Sequence, residues 1–223
     1  MGTAAGRQLS PADALDDILD GRLGQDAVRQ VVRNPLRNGL ADLLHDQLAD
    51  CRSGDLELLR TKFKPFRKLT AYYRLQRDPV DAATRLLAVS WFAQAKRGGP
   101  RVTVLASPAD PAMPQLGRLV EPAYLASRIE ELTGRRPGPG GRSVRTVRYR
   151  PGQRHVLQAR LDGAHVFVKT DRDDSGARAV RVAGLVAETC PKDRPAAPVG
   201  YVADDSAALW WYTAGEPLSR LPT

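Results

Sequence analysis

Two short stretches of the chain, 86 residues apart, share a pattern that constrains the fold more than any other feature. Residues 63–70 and 149–156 both run aromatic, basic, proline, any residue, polar or basic, basic, and then alternate like a strand. Arg74-Leu75 matches Arg160-Leu161 at the same offset, and a second apolar run follows each motif. Because self-similarity at a fixed offset indicates repeated structural units, the sequence predicts two copies of one small β-unit. Chance recurrence of a basic-proline turn is the alternative.

The residues before the second motif predict a helical N-terminus followed by the first β-unit. Apolar spacing indicates helix over residues 11–50 and a short helix over 124–132 that ends at Gly134. Residues 107–122 contain four prolines and predict a loop. The run Pro-Gly-Pro-Gly-Gly at 137–141 is predicted to separate an N-terminal helical and β-unit region, residues 1–136, from a second region, residues 142–223. Strands of the first β-unit are predicted at 56–63, 69–75, 86–92 and 102–106.

The second region predicts three strands, one helix and two further strands. The strands fall at 143–150, 154–161, 164–170, 199–202 and 207–212, and the helix spans 175–189. Runs of strands with few helices are typical of the α+β class. The order β-β-β-α-β-β is also that of a kinase small lobe.

Three segments of this region resemble the small lobe of the aminoglycoside phosphotransferase-like kinases of actinobacterial type. They are Tyr149 to Arg154, Gly163 to Thr170, and Gly215-Glu216-Pro217-Leu218. In that family the first opens a nucleotide-facing hairpin, the second ends in a phosphate-binding lysine, and the third follows the hinge. The resemblance covers residues 143–223, about a third of the chain. It implies a protein-kinase-like small lobe, an antiparallel sheet plus one helix, that binds ATP.

Lys169 is the residue that the resemblance makes the phosphate ligand. It ends the apolar run 166–168, and on a strand it shares a face with Phe167 and His165. The alternative is a strand-end lysine that reaches solvent. In the first unit the aligned residue is Ser90, so residues 56–106 are predicted to be a degenerate, non-binding copy.

The other nucleotide-binding candidates surround Lys169 in the predicted lobe. The backbone of Gly152 and the guanidinium groups of Arg150 and Arg154 could contact phosphate oxygens, although a plain hairpin turn is the alternative. The resemblance also implies a glutamate that pairs with the lysine. Glu188 is the only acid on the predicted helix after residue 174. A solvated surface role for Glu188 is the alternative, because the family's glutamate comes earlier in the helix.

The catalytic half of the family pattern is missing from the sequence. The family uses an H-x-D-x-x-x-x-N loop and a metal-binding Asp in a helical lobe downstream of the hinge, whereas this chain stops at Thr223. No catalytic residue and no metal ligand is therefore predicted, and Mg²⁺ enters only with a supplied catalytic lobe. The expectation is a phosphotransferase family fragment that binds ATP weakly. Its partner is expected to be a separate catalytic lobe or a second copy of itself, and a small-molecule kinase results only from completion by that lobe.

Composition leaves two other functional classes to consider. A net charge of +9 with a pI near 10.0 allows a basic nucleic-acid-binding protein, but the cations are interleaved with acids, and an anionic small ligand explains them as well. A non-catalytic, pseudokinase-like adaptor is the other alternative.

No apolar run approaches the roughly 20 residues of a membrane helix. Cys51 and Cys190 lack metal-ligand spacing and predict free thiols in a cytoplasmic protein.

Overall fold

The structure, a computed structural model, divides into two compact units, each built on an antiparallel sheet. It describes residues 17–22, 24–33, 56–76, 86–93, 102–189 and 197–213. The first unit comprises Met1–Arg77 and Arg85–Ala106, and the second comprises Asp78–Thr84 and Ser107–Thr223. The α+β class predicted from the sequence is confirmed.

The first unit packs a helix against one face of a four-stranded meander. Its strands follow the chain in the order β1-β2-β3-β4. Helix α1 contributes Val28, Val31 and Val32 to the core, and alternate residues of β2 and β3 supply the other side. The Tyr73 hydroxyl donates a hydrogen bond to the Val32 carbonyl at 2.6 Å, which ties the helix to the sheet. The elements are α1 (Gln25–Arg33), β1 (Leu56–Lys64), β2 (Lys68–Leu75), β3 (Leu86–Phe92) and β4 (Val102–Ala106).

The second unit contains a five-stranded antiparallel sheet in the order β5-β6-β7-β9-β8. Along the chain, after α2 and α3, its elements run β-β-β-α-β-β, and this strand and helix order is the one that the sequence predicts. Gly134, which follows α3, adopts φ 69° and caps that helix as expected. The elements are α2 (Leu116–Leu119), α3 (Pro122–Thr133), β5 (Gly138–Arg150), β6 (Arg154–Asp162), β7 (Ala164–Asp171), α4 (Ser175–Thr189), β8 (Pro198–Val202), a 3-10 turn (Ala203–Asp205) and β9 (Ala207–Trp211).

The two faces of this sheet differ in chemistry. The inner face packs apolar residues such as Leu157, Val166 and Val168 against α3. The opposite face, called here the outer face, carries Arg154, Val156, Gln158 and Arg160 on β6, which pair in register with Asp171, Lys169, Phe167 and His165 on β7. Polar and charged groups thus gather on one side of three neighbouring strands.

Helix α4 begins on the outer face, beside β8 and β9. A Cβ atom on Gly176 would lie 3.1 Å from the Tyr201 ring and 3.4 Å from the Ala208 Cβ, so the absence of a side chain allows this close approach. Ala208 is opposite Lys169 in the sheet. The start of α4 is therefore on the same side of the sheet as Lys169.

The division between the units differs from the one predicted from the sequence. It falls between Ala106 and Ser107, whereas the predicted boundary at 137–141 lies within the second unit. Gly138 opens β5 and pairs with Asp162, and a Cβ on Gly138 would overlap the Asp162 carboxylate. The glycines there permit close strand packing, and they do not form a linker. The proline-rich segment 107–122, predicted as a loop, also contains the short helix α2.

The two predicted β-units share their turn geometry. Phe66 and Gly152 occupy aligned positions and have φ angles of 57° and 62°. The Arg67 amide donates a hydrogen bond to the Lys64 carbonyl at 3.1 Å, and the Gln153 amide donates one to the Arg150 carbonyl at the same distance. The hairpins β1–β2 and β5–β6 therefore close in the same way.

Strand register extends this match beyond the turns. Thr70 pairs with Ser90 in the first sheet, and Val156, aligned with Thr70, pairs with Lys169 in the second. Ser90 therefore occupies in its sheet the position that Lys169 occupies in the other, as the sequence alignment proposes.

Candidate functional site

Lys169 belongs to a cluster of two cations around one carboxylate on the outer face. Asp171 lies two residues after Lys169 and directly opposite Arg154. The Arg154 Nε donates to one Asp171 oxygen at 2.5 Å, and the Lys169 Nζ lies 3.2 Å from the other. We call these three residues the Lys169 cluster. The structure thus brings together two of the residues predicted to bind nucleotide.

The Lys169 cluster presents excess positive charge to solvent. The Asp171 side chain is only 4% exposed, whereas those of Lys169 and Arg154 are 29% and 36% exposed. A buried carboxylate needs paired cations to offset its desolvation. One carboxylate cannot neutralise two cations, so the cluster can receive a further anion at its exposed side.

The surrounding outer face is also cationic. Arg150 pairs with Arg154 at the hairpin end, so the predicted arginine candidates are neighbours. Asp171 and Asp162 are the acids that alternate onto this face along β6 and β7. The cations that β5, β6 and β7 place on the outer face are Arg145, Arg148, Arg150, Arg154, Arg160 and Lys169.

Aromatic rings lie next to the Lys169 cluster. Phe167 is two residues before Lys169 on the same face, about 7 Å along the strand. The Tyr212 ring stacks on His165 with 3.8 Å between centroids and lies 5.7 Å from the Phe167 ring. An anion-binding cluster and an aromatic surface are therefore side by side, an arrangement suited to a ligand that has both phosphate and a planar base.

The Gly152 turn is already engaged by the protein. The Gly152 amide donates to the buried Asp110 carboxylate at 2.7 Å, and the Tyr149 hydroxyl donates to the same oxygen at 2.8 Å. The Gln153 amide bonds the Arg150 carbonyl. A phosphate at the Gly152 amide would have to displace Asp110, so in this structure the prediction that Gly152 contacts phosphate is wrong.

Glu188 lies apart from the Lys169 cluster. It is exposed in the last turn of α4, whereas the helix approaches Ala208, the residue opposite Lys169 in the sheet, at Gly176, near its start. Glu188 comes twelve positions after Gly176, which corresponds to an axial rise of about 18 Å along the helix. The ion-pair partner of Lys169 in the described part of the chain is Asp171.

Asp171 is the site residue that sequence reasoning missed. The signal was nevertheless present, because residues i and i+2 of a strand share a face. An aspartate two positions after Lys169 was therefore a candidate partner.

Tests for metal ligands and membrane helices, and comparisons with known proteins, assign no further role to the described residues. Among the described residues, no group of three His, Cys, Asp or Glu side chains is placed to hold a metal ion, and no helix has the length and apolar character to cross a membrane. The predicted segment 215–218 lies outside the described residues. Searches against protein-family models, curated proteins and solved structures found no match.

Proposed function

We propose that the second unit is a nucleotide-binding small lobe of the phosphotransferase, kinase-like type, with Lys169 and Arg154 as its phosphate ligands. The observation that carries this proposal is the place of Lys169, on the third strand of a five-stranded antiparallel sheet and on the side where α4 begins. Protein kinases place their phosphate-binding lysine on a third strand and hold it with a carboxylate. Here Asp171 supplies the carboxylate from the same strand.

Aromatic side chains beside the Lys169 cluster provide a surface for the adenine base of the proposed ligand. Phe167 and Tyr212 lie beside the cluster, and Trp210 is opposite Phe167 in the sheet. With phosphates at Lys169 and Arg154, an adenine ring lies against these aromatic groups. Stacking of a base on aromatic side chains contributes about 1–3 kcal/mol.

Phosphoryl transfer requires groups beyond this face. Mg²⁺ in such enzymes is held by carboxylates together with substrate phosphates. Asp171, the acid at the Lys169 cluster, is buried and engaged by two cations, so it does not fit as a magnesium ligand. We therefore propose nucleotide binding by this chain, and small-molecule kinase activity only in combination with a catalytic lobe that supplies the base and the metal ligands.

The affinity for ATP tests the proposal directly. With one wall of a cleft, we expect a Kd no tighter than about 1 mM, a free energy near −4 kcal/mol. Backbone NMR shifts of β7 during an ATP titration measure it. Lys169→Met should weaken binding about tenfold by loss of one charge-assisted contact, whereas Lys62→Met, the same charge change on an exposed strand residue of the first unit, should not. Equal affinities of these variants, with the fold intact, would refute the assignment of Lys169.

A single-stranded nucleic acid is the second candidate ligand, because a cationic sheet face with aromatic residues also suits stacked bases and phosphates. A 12-nucleotide oligonucleotide, titrated at 50 and 200 mM salt, separates the two. Micromolar binding that falls steeply with salt, combined with no saturable response to ATP, would favour this class. Absence of both responses would favour the non-catalytic adaptor.

A further inference from the structure

A small cavity of about 90 Å³ lies on the outer face between β5 and β6, lined by Ser143, Arg145, Gln158 and Arg160. Ser143 pairs with Arg160 and Arg145 with Gln158, so the four side chains share one face of the hairpin. The volume equals roughly three water molecules at about 30 Å³ each. It lies well below the roughly 300 Å³ at which pockets for drug-sized ligands begin. The cavity suits a tetrahedral oxyanion and is too small for a nucleoside.

The Gln158 side chain, which forms the floor of the cavity, is held in one orientation by two hydrogen bonds. The Arg145 Nε donates to the Gln158 Oε1 at 2.5 Å, and because guanidinium nitrogens only donate, that oxygen must accept. The Gln158 amide nitrogen then donates to the His165 Nε2 at 2.6 Å. His165 is therefore neutral with its proton on Nδ1. Burial, followed by the positive charges of Arg160 and Arg145, lowers the pKa of His165.

The positive charge around the cavity lacks a counter-ion in the described part of the chain. The Arg160 guanidinium, the terminal nitrogens of Arg145 and the Ser143 hydroxyl make no hydrogen bond or ion pair with described residues. Asp162, the next residue along that face of β6, forms no ion pair with Arg160. Two neighbouring guanidinium groups repel each other unless an anion lies between them.

We propose that Arg145, Arg160 and Ser143 form a binding site for a phosphate or sulfate group. Both guanidinium groups and the Ser143 hydroxyl donate hydrogen bonds to its oxygens, and Gln158 closes the floor. Arg160 is opposite His165, four residues from Lys169 on β7, which corresponds to about 13 Å along the strand. The site is therefore separate from the Lys169 cluster and does not depend on the proposed nucleotide function.

The His165 ring provides a built-in probe of this site. Sodium phosphate is titrated against the full chain at constant ionic strength, and the His165 ring signals are followed by NMR. We expect a saturating shift and a raised pKa of His165, because a bound anion stabilises the imidazolium. Sodium sulfate should act similarly, and sodium chloride should not. The His155 ring, buried on the inner face, serves as an internal control.

Variants distinguish the site from general charge effects. Arg160→Gln should weaken phosphate binding about tenfold. Arg178→Gln, the same change at an exposed position of α4, should leave it unaltered. Ser143→Ala removes the hydroxyl without changing charge and should weaken binding in a chain whose fold is intact.

A separate variant keeps this test independent of the nucleotide proposal. Lys169→Met should preserve the phosphate response at His165, even if ATP binding is lost. The oxyanion site is overturned by a shift that chloride reproduces, by a response that does not saturate, or by equal affinities of Arg160→Gln and Arg178→Gln.

Discussion

His155 is a buried histidine whose environment keeps it uncharged. Its Nε2 lies 3.1 Å from the hydroxyls of both Ser107 and Thr146, and its Nδ1 is buried without a hydrogen-bond partner among the described residues. Burial lowers the pKa of His155 to about 4 from 6.5, although nearby Asp110 opposes the shift. The ring is therefore a packing group with two neutral hydrogen-bond partners.

This pKa gives the second unit a defined dependence of stability on pH. Between pH 6.5 and about 4 the unfolded chain binds a proton at His155 that the folded chain does not, so stability is full above pH 6.5 and falls as pH drops toward 4. The slope contributed is at most about 1.4 kcal/mol per pH unit. His155→Leu should flatten urea-unfolding free energies over this range, and His165→Gln should retain most of the slope. Identical slopes for wild type and His155→Leu would contradict this explanation.

At the residue scale, the sequence predicted the strand face that a side chain occupies better than the residue that the side chain binds. Lys169 shares a strand face with Phe167 and His165 as expected, because alternation follows from strand geometry alone. The ion pair with Asp171 depends on which carboxylate is closest in space, and family resemblance directed attention to Glu188 instead. Similarly, nothing in the local sequence around Asp110 shows that its carboxylate meets a hairpin turn 42 residues later.

At the scale of elements, strand positions were predictable and the close contacts between elements were not. Strands predicted at 56–63, 86–92 and 102–106 match the structure within one residue, because apolar alternation is a local signal. The glycines at 138–141 lie in strand β5 and not at a boundary, since the same residues that interrupt regular structure also permit strands to pack closely. Only the position of Asp162 in the paired strand distinguishes these two uses.

The segment before α2 is attached to the β5–β6 turn by one carboxylate. Asp110 accepts hydrogen bonds from the Tyr149 hydroxyl and from the amides of Gly152 and Ala112. Asp110→Ala leaves buried donors without partners, so we expect a loss of about 3 kcal/mol in unfolding free energy, measured by urea denaturation. Asp204→Ala, at an exposed aspartate of the same unit, should change it by less than about 0.5 kcal/mol. A similar small effect for both variants would show that the turn is held by other contacts.

At the scale of the whole molecule, two sheets share one pairing scheme but differ at the candidate site. In both, the third strand pairs with the second in the same register relative to the hairpin turn. The first sheet retains one cation of the Lys169 cluster and replaces the other two residues with a hydroxyl and an aromatic ring. The equivalent positions are Lys68 and Arg154, Ser90 and Lys169, and Phe92 and Asp171.

This equivalence makes the first sheet a host in which the cluster can be rebuilt. The double variant Ser90→Lys/Phe92→Asp places a lysine and an aspartate beside Lys68, in the register found in the second sheet. We expect inorganic pyrophosphate to produce saturable NMR shifts in β3 of this variant and none there in the wild type. The single variant Ser90→Lys, which lacks the carboxylate that orients the cation, should respond less. A folded double variant without any new response would show that the cluster is insufficient for anion binding.

The aligned turns have a consequence for the order in which the chain acquires structure during synthesis. The Phe66 amide bonds the Leu19 carbonyl at 2.8 Å, and the aligned Gly152 amide bonds Asp110. In each case the acceptor comes earlier in the chain than the hairpin whose tip it holds. A ribosome therefore releases each anchoring segment before the turn that closes on it, so neither hairpin has to wait for downstream residues. A rearranged chain in which residues 17–33 follow residue 106 would place Leu19 after the turn at Phe66 and reverse this order for the first hairpin.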